Sequence, residues 1–253
     1  MEALLTLTDL TGQEFVILIV IVVVAGIVRG FSGFALSAMV MATGVLILPP
    51  IQLIPICWCL EMVASLMMAR SGWREADRGI VMGLVIGSAV GVPIGLALLT
   101  SLPVETSKLI VLVVIITLAV TQLARIRLAF LATRAGLYLS GLVAGIVTGV
   151  AHVGGMVVAL YVLSLDATAA KMRAALVLYL FISMFTSLIY YLLADVMNMQ
   201  AVWRGLVFAL PTAAGVLIGQ WLFTPRFAAY YRPFCLSLLC ALAAAALVRT
   251  QFA

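Results

Sequence analysis

The sequence predicts an all-α integral membrane protein made of two inverted repeats, each a broken-helix hairpin followed by three transmembrane helices. Three observations lead there: an extreme apolar composition, a series of apolar runs of spanning length, and two glycine-interrupted runs at matching places in the two halves. Of 253 residues, 66% are hydrophobic and 9% charged, and the mean hydropathy is +1.32. Soluble domains are about 45–50% apolar and about 25% charged, so a soluble enzyme, a disordered tail and a DNA-binding module are excluded. The net charge of +5 is then read as Lys and Arg in cytoplasmic loops, with a lipid bilayer and no nucleic acid as partner.

Taken in order, the N-terminus carries Glu2, Asp9 and Glu14 where a signal peptide has a basic leader, so the first apolar segment is expected to be retained. A spanning helix needs about 20 apolar residues. Runs at 51–69, 79–100, 104–124, 172–194, 205–224 and 234–248 qualify or come close. Two regions differ. The runs 15–28 and 34–48 are short and split by Arg29-Gly30-Phe31-Ser32-Gly33, and the runs 136–150 and 156–164 are split by Ala151-His152-Val153-Gly154-Gly155. Paired, glycine-interrupted segments are the sequence pointer to a transporter site.

The halves match elsewhere too. Ala25-Gly26-Ile27-Val28-Arg29-Gly30 returns as Ala144-Gly145-Ile146-Val147-Thr148-Gly149, and Gly91-Val92-Pro93-Ile94-Gly95 as Gly215-Val216-Leu217-Ile218-Gly219. Arg78-Gly79 and Arg204-Gly205 precede the latter helices. Residues 1–253 thus read as a single transmembrane domain, with repeat 1 at 10–125 and repeat 2 at 135–250, a unit longer than solenoid repeats of roughly 20–50 residues.

The basic residues assign the sides. Arg70, Arg74 and Arg78, then Arg125, Arg127 and Arg134, then Arg226 and Arg232, occupy three loops placed in the cytoplasm, with Lys171 and Arg173 joining them; Lys108, Arg204 and Arg249 fall outside. This holds if each broken region enters and leaves on one face. Each half then contributes an odd number of crossings, the second half is inserted upside down, and the two hairpin tips approach the midplane from opposite faces.

Arg29 is the first candidate for chemistry. A charge at membrane depth costs about 2.5–3.5 kcal/mol on insertion scales, and it stands where exposed N–H groups and a half-helix N-terminus favour an anion. It either coordinates an anion directly, helped by Gly30, Ser32 and Gly33, or forms a structural ion pair, or snorkels to an interface. Glu61, midway along an apolar helix, is either a proton-coupling carboxylate or a fixed partner for Arg29, and the two roles are compatible. His152, the sole histidine, is an anion or proton group or a packing residue at the second tip. Beside it, Thr148 replaces Arg29, and Gly154 and Gly155 offer N–H groups. The expected site is therefore asymmetric, with one fixed cation facing a more neutral tip.

Other features read as structural. Cys57, Cys59, Cys235 and Cys240 lie within apolar runs as small core residues. Pro93 and Pro211 are expected to kink their helices. The glycine stripes are packing surfaces, and Trp73 and Trp203 are interfacial anchors. Arg173 is a positive-inside anchor or a cytoplasmic gate. There is no Walker loop or zinc helix, so no metal or cofactor is expected. One histidine, isolated cysteines and unpaired carboxylates speak against an enzyme.

Val28-Arg29-Gly30-Phe31-Ser32-Gly33-Phe34 resembles the first signature of the TauE/SafE family of sulfite and organosulfonate exporters. Leu60-Glu61, Gly91-Val92-Pro93-Ile94-Gly95, the second tip ending Gly154-Gly155, Leu160-Tyr161-Val162-Leu163 and Arg173-Ala174 follow in the family's order. The pattern departs at Ala35, where a third glycine is frequent, at His152, usually apolar or glycine, and at Met156, where proline is common. The resemblance implies a multi-pass transporter of the bacterial inner membrane. Its substrate would be a small sulfur-containing anion, sulfite or a sulfoacetate-like organosulfonate, moved often outward by an ion gradient. Together with the residues above, this gives a secondary transporter working by alternating access with protons as coupling ion. The alternatives are an anion channel or a carrier for another small organic anion.

Overall fold

The computed structural model describes residues 8–124, 133–165, 168–222 and 228–252. Among the described residues there are ten helices and no strand: α1 Gly12–Ser32, α2 Leu36–Gly44, α3 Pro50–Glu75, α4 Arg78–Ser101, α5 Val104–Leu123, α6 Arg134–Ala151, α7 Gly154–Leu163, α8 Ala169–Leu193, α9 Met199–Leu222 and α10 Ala228–Phe252. Seven are long and apolar enough to cross a membrane, namely α1, α3, α4, α5, α6, α8 and α9; the apolar stretch found in α10 is shorter, Leu236–Thr250. Large apolar side chains such as Val20, Ile86, Val90, Val113, Leu210 and Trp221 are exposed, as a lipid-facing surface requires and a water-facing one avoids.

Local chemistry sets several helix starts. Thr11 and Glu14 form a reciprocal capping box on α1. The Asp77 carboxylate accepts from Gly79 and Ile80 N–H on α4, and the Thr133 hydroxyl accepts from Gly136 N–H on α6. Each satisfies N–H groups that the first helical turn leaves without intrahelical partners.

The helices of the broken regions do not coincide with the apolar runs. Helix α1 does not stop before Arg29 but runs through it to Ser32, and at 21 residues it spans about 31 Å. Helix α6 has 18 residues. The return arms are the short ones, 9 residues in α2 and 10 in α7. Each break is thus one full-length helix followed by a short one. Apolar runs mark where side chains change character, whereas a helix ends where the backbone does. Here that is at Gly33, with φ +81°, and at His152, with φ +54°, both left-handed.

The most extensive helix contacts are α4 with α6, α1 with α9, α3 with α8, and α5 with α10. The first two are glycine crossings. A Cβ on Gly87, Gly91 or Gly95 would run into the α6 backbone at Tyr138, Leu142 and Ile146, and one on Gly26 or Gly30 into α9 at Thr212 and Val216. In both crossings the register rises together, Gly83 meeting Leu137 and Gly95 meeting Ile146, Gly26 meeting Thr212 and Gly30 meeting Val216. Both helix pairs therefore run parallel. Backbone-to-backbone approach of this kind is how helices gain packing where lipid supplies no hydrophobic drive. Pro93 and Pro211 lie within unbroken α4 and α9, as does Pro55 within α3.

Arg204, at the start of α9, ties three chain segments together. Its Nε donates to the Thr8 carbonyl at 2.6 Å, Nη1 to Gln52 Oε1 at 2.9 Å and Nη2 to the Asp9 carbonyl at 3.4 Å. The starts of α1, α3 and α9 therefore share one end of the bundle. Of the basic residues used to assign sides, Arg125, Arg127 and Arg226 lie outside the described residues, as does the side chain of Arg232; so does the side chain of Cys235. Cys57 and Cys59 are free thiols on α3, and Trp73 and Trp203 are both exposed.

Candidate functional site

The first break closes around an ion pair. Arg29 sits in the last turn of α1 and is fully buried. Its Nε donates to Glu61 Oε2 at 2.8 Å, Nη2 to Ser65 Oγ at 3.0 Å, and Nη1 to the Gly33 carbonyl. Glu61, on α3, turns its other oxygen to α2, where it accepts from the Ser37 hydroxyl at 3.1 Å and the Ser37 N–H at 3.4 Å. A cation at the C-terminal end of α1 and an anion at the N-terminal end of α2 each complement a helix dipole. The pair therefore does more than neutralise itself: it fills both helix ends that the break exposes.

Backbone conformation supports the turn. Gly33 and Ala35 are both left-handed, at φ +81° and +75°. Glycine takes this conformation freely, but alanine in it costs about 1–2 kcal/mol. Ala35, where the sequence departs from the family pattern, is thus a strained residue at the tip. The Ser32 hydroxyl is engaged locally, its one proton going to the carbonyl of Val28 or of Phe34, 2.7 and 2.6 Å away.

The second break is neutral. His152 caps α6 in the left-handed region, and its N–H donates to the Thr148 carbonyl at 2.8 Å. Its Nδ1 lies 2.9 Å from the hydroxyl of Tyr191 on α8, which in turn is 3.3 Å from that same carbonyl. The Thr148 hydroxyl donates back to the Ala144 carbonyl at 2.7 Å, and Gly154 packs so closely on both that a Cβ has no room. On α5, Gln122 Nε2 donates to the Met156 carbonyl at 3.2 Å.

The two breaks meet at one small cavity. Ala35, Ser37 and Glu61 line it from the first half, and His152, Gly155 and Met156 from the second; its volume is about 10 Å³, room for about one water-sized sphere. Of the residues singled out from sequence, Glu61, His152 and Gly155 border this space directly. Arg29 stands behind Glu61. Gly30, Ser32, Gly33, Thr148 and Gly154 shape the turns and are not among the lining residues. Arg173, on α8, reaches across to the first break, where Nη2 donates to the Gly30 carbonyl at 2.6 Å and its aliphatic chain lies against Gly33. Among the described residues no cluster of three His, Cys, Asp or Glu could hold a metal ion.

Sequence reasoning missed Ser37, Ser65 and Tyr191. Ser65 carried a usable signal, since it falls four residues after Glu61, on the same face of an otherwise apolar helix. Tyr191 carried none. It meets His152 from 39 residues away, and only tertiary packing joins them.

Spanning helices with an apolar exterior, wrapped around a buried ion pair where two broken helices meet, define a multi-pass helical membrane protein with a central polar site. The family model described as sulfite exporter TauE/SafE matches residues 18–246, and the chain belongs to that family. It is a membrane transporter and not an enzyme. No curated protein and no solved structure gives a significant match.

Proposed function

We propose that this protein carries small sulfur-containing anions, sulfite or a sulfoacetate-like organosulfonate, across a bacterial inner membrane by proton-coupled alternating access. The observation that carries this reading is the Arg29–Glu61 pair beside the cavity shared by both breaks. Protonating Glu61 neutralises the carboxylate and leaves a buried guanidinium without its counter-charge, a state that costs about 3–5 kcal/mol. An incoming oxyanion restores the balance. Proton and anion are then carried together, and the loaded site is as neutral as the empty one. Net movement follows the combined gradients, so export proceeds only when the outward gradient of the anion exceeds the inward gradient of the proton that travels with it.

In this scheme Arg29 supplies charge, while Ser32, Thr148, His152 and the N–H groups of Gly30, Gly33, Gly154 and Gly155 supply hydrogen bonds once the tips separate. The cavity as it stands is too small for a sulfonate, which fits a closed carrier better than an open channel. Arg173 then acts as a cytoplasmic gate, pinning the first tip to α8.

Repeats at 10–125 and 135–250 in opposite orientation are part of the proposal, and the packing supports them. Helices α1 and α3 start at one end, so α1 and α2 form a hairpin that leaves and returns on one face. Helix α3 then crosses, α4 begins at the far end, and α6 runs parallel to α4. By that path α6 points opposite to α1. Rocking one repeat against the other gives alternating access.

The test is transport by purified protein in liposomes with sulfite, sulfoacetate, isethionate, sulfate and acetate, with and without a pH gradient. Saturable counterflow of the sulfur anions, dependent on the gradient and lost in Arg29→Ala, is expected. Unchanged transport in Arg29→Ala removes Arg29 from the site. Conductance without counterflow replaces the carrier by a channel.

A further inference from the structure

The second break contains a hydrogen-bond chain that the scheme above leaves unused. Tyr191 is fully buried, and its hydroxyl has two neighbours, His152 Nδ1 at 2.9 Å and the Thr148 carbonyl at 3.3 Å. A carbonyl oxygen can only accept, so the contact with Thr148 is a hydrogen bond only if Tyr191 gives it its one proton. The tyrosine oxygen then accepts from His152. Both contacts are satisfied together only when neutral His152 carries its proton on Nδ1. With Nδ1 occupied by Tyr191, Nε2 is left as the bare nitrogen of a residue that lines the cavity together with Glu61 and Ser37. Of the titratable groups, Tyr191 on α8 meets Nδ1, Glu61 on α3 lines the same cavity, Arg29 on α1 stands behind Glu61, and Cys57 on α3 and Tyr179 on α8 lie near Tyr191.

Charge balance gives this arrangement a use. Arg29, Glu61 and a neutral His152 sum to zero. A singly charged anion that enters with one proton on Glu61 leaves the sum at zero. A doubly charged anion leaves one negative charge uncompensated in a buried site, which is strongly unfavourable. A proton on Nε2 supplies the missing positive charge, and as imidazolium the ring turns from acceptor to donor towards the anion. Resting on the transport reading above, we propose that Tyr191 is a positioning residue holding His152 as its Nδ1–H tautomer, and that Nε2 is a second proton site which fits the cavity to doubly charged oxyanions.

Because the chain has one histidine, protein purified without a histidine tag and labelled with nitrogen-15 histidine gives imidazole signals from His152 alone. Magnetic resonance in lipid nanodiscs is expected to show Nδ1 protonated and Nε2 bare without anion, and both nitrogens protonated when sulfoacetate, a dianion, is bound. Isethionate, a monoanion of similar size, is expected to leave Nε2 bare. Liposome transport is expected to take up two protons per sulfoacetate and one per isethionate. Tyr191→Phe is expected to move the neutral proton to Nε2 and to weaken sulfoacetate about tenfold, the equivalent of one hydrogen bond, while isethionate stays within about twofold.

An Nε2–H tautomer in the anion-free protein, or a tautomer unmoved by Tyr191→Phe, overturns the positioning role. A bare Nε2 with sulfoacetate bound overturns the second proton site. If neither anion binds, the transport reading and the dianion preference fall together, while the tautomer is still decided by the anion-free spectrum. Should Tyr191→Phe not fold, the wild-type spectrum decides it alone.

Discussion

The two helix breaks use one backbone device with opposite chemistry. At each, a full-length helix ends in a left-handed residue and a short helix leads away. The first break fills its helix ends with full charges, Arg29 on α1 and Glu61 against α2. The second fills them with neutral groups, His152, Tyr191 and Thr148. Equivalent backbone therefore does not bring equivalent electrostatics. The asymmetry places a buried ion pair on one side of the cavity and neutral hydrogen-bonding groups on the other.

The comparison breaks most visibly at Glu61. In Glu61→Ala the Arg29 cation stays buried with no carboxylate, and stability should fall by about 3–5 kcal/mol. Thermal unfolding of the detergent-purified protein checks this, and Arg29→Met combined with Glu61→Leu should recover most of the loss. A double variant as unstable as Glu61→Ala would show that the unpaired charge is not what costs.

The glycine crossings come next. Gly95 on α4 meets the backbone of α6, and Gly219 on α9 meets that of α1. Gly95→Ala and Gly219→Ala should each cost about 1–3 kcal/mol by overpacking. Similar losses in the same unfolding experiment would sharpen the equivalence of the halves, and a large disparity would break it.

At the second break the penalty should be smaller. Tyr191→Phe removes neutral hydrogen bonds, and about 1 kcal/mol is expected, well below the loss in Glu61→Ala. An equal loss would mean that the second tip is as charge-dependent as the first. The smallest effect has the opposite sign. Ala35→Gly relieves a left-handed alanine and should raise stability by about 1 kcal/mol, whereas Gly33→Ala should lower it by about 1–2 kcal/mol. Unfolding midpoints of the two variants moving in the same direction would refute the strain at Ala35.

Much of this was written in the chain. Apolar runs of spanning length require helices, because within lipid every backbone N–H and C=O must be satisfied inside the segment. Glycines at matched positions located both breaks and both crossings. The cost of a charge in an apolar run singled out Arg29 and Glu61, and the lone histidine stood at the tip. Helix ends were less legible. Arg29 looked like part of the break and lies within α1, since a buried arginine at a helix C-terminus is stabilised by the dipole and by a partner 32 residues away.

What the sequence alone determined is which segments are helical, where they break and which residues there carry charge. These follow from local composition and from the price of burying polar groups. Only the tertiary structure decided that Arg29 turns to Glu61 and Ser65, that Tyr191 meets His152, and that both tips share one cavity with room for a single water. Those pairings depend on how α3 and α8 pack between the breaks, and contacts between distant segments leave no periodicity to read.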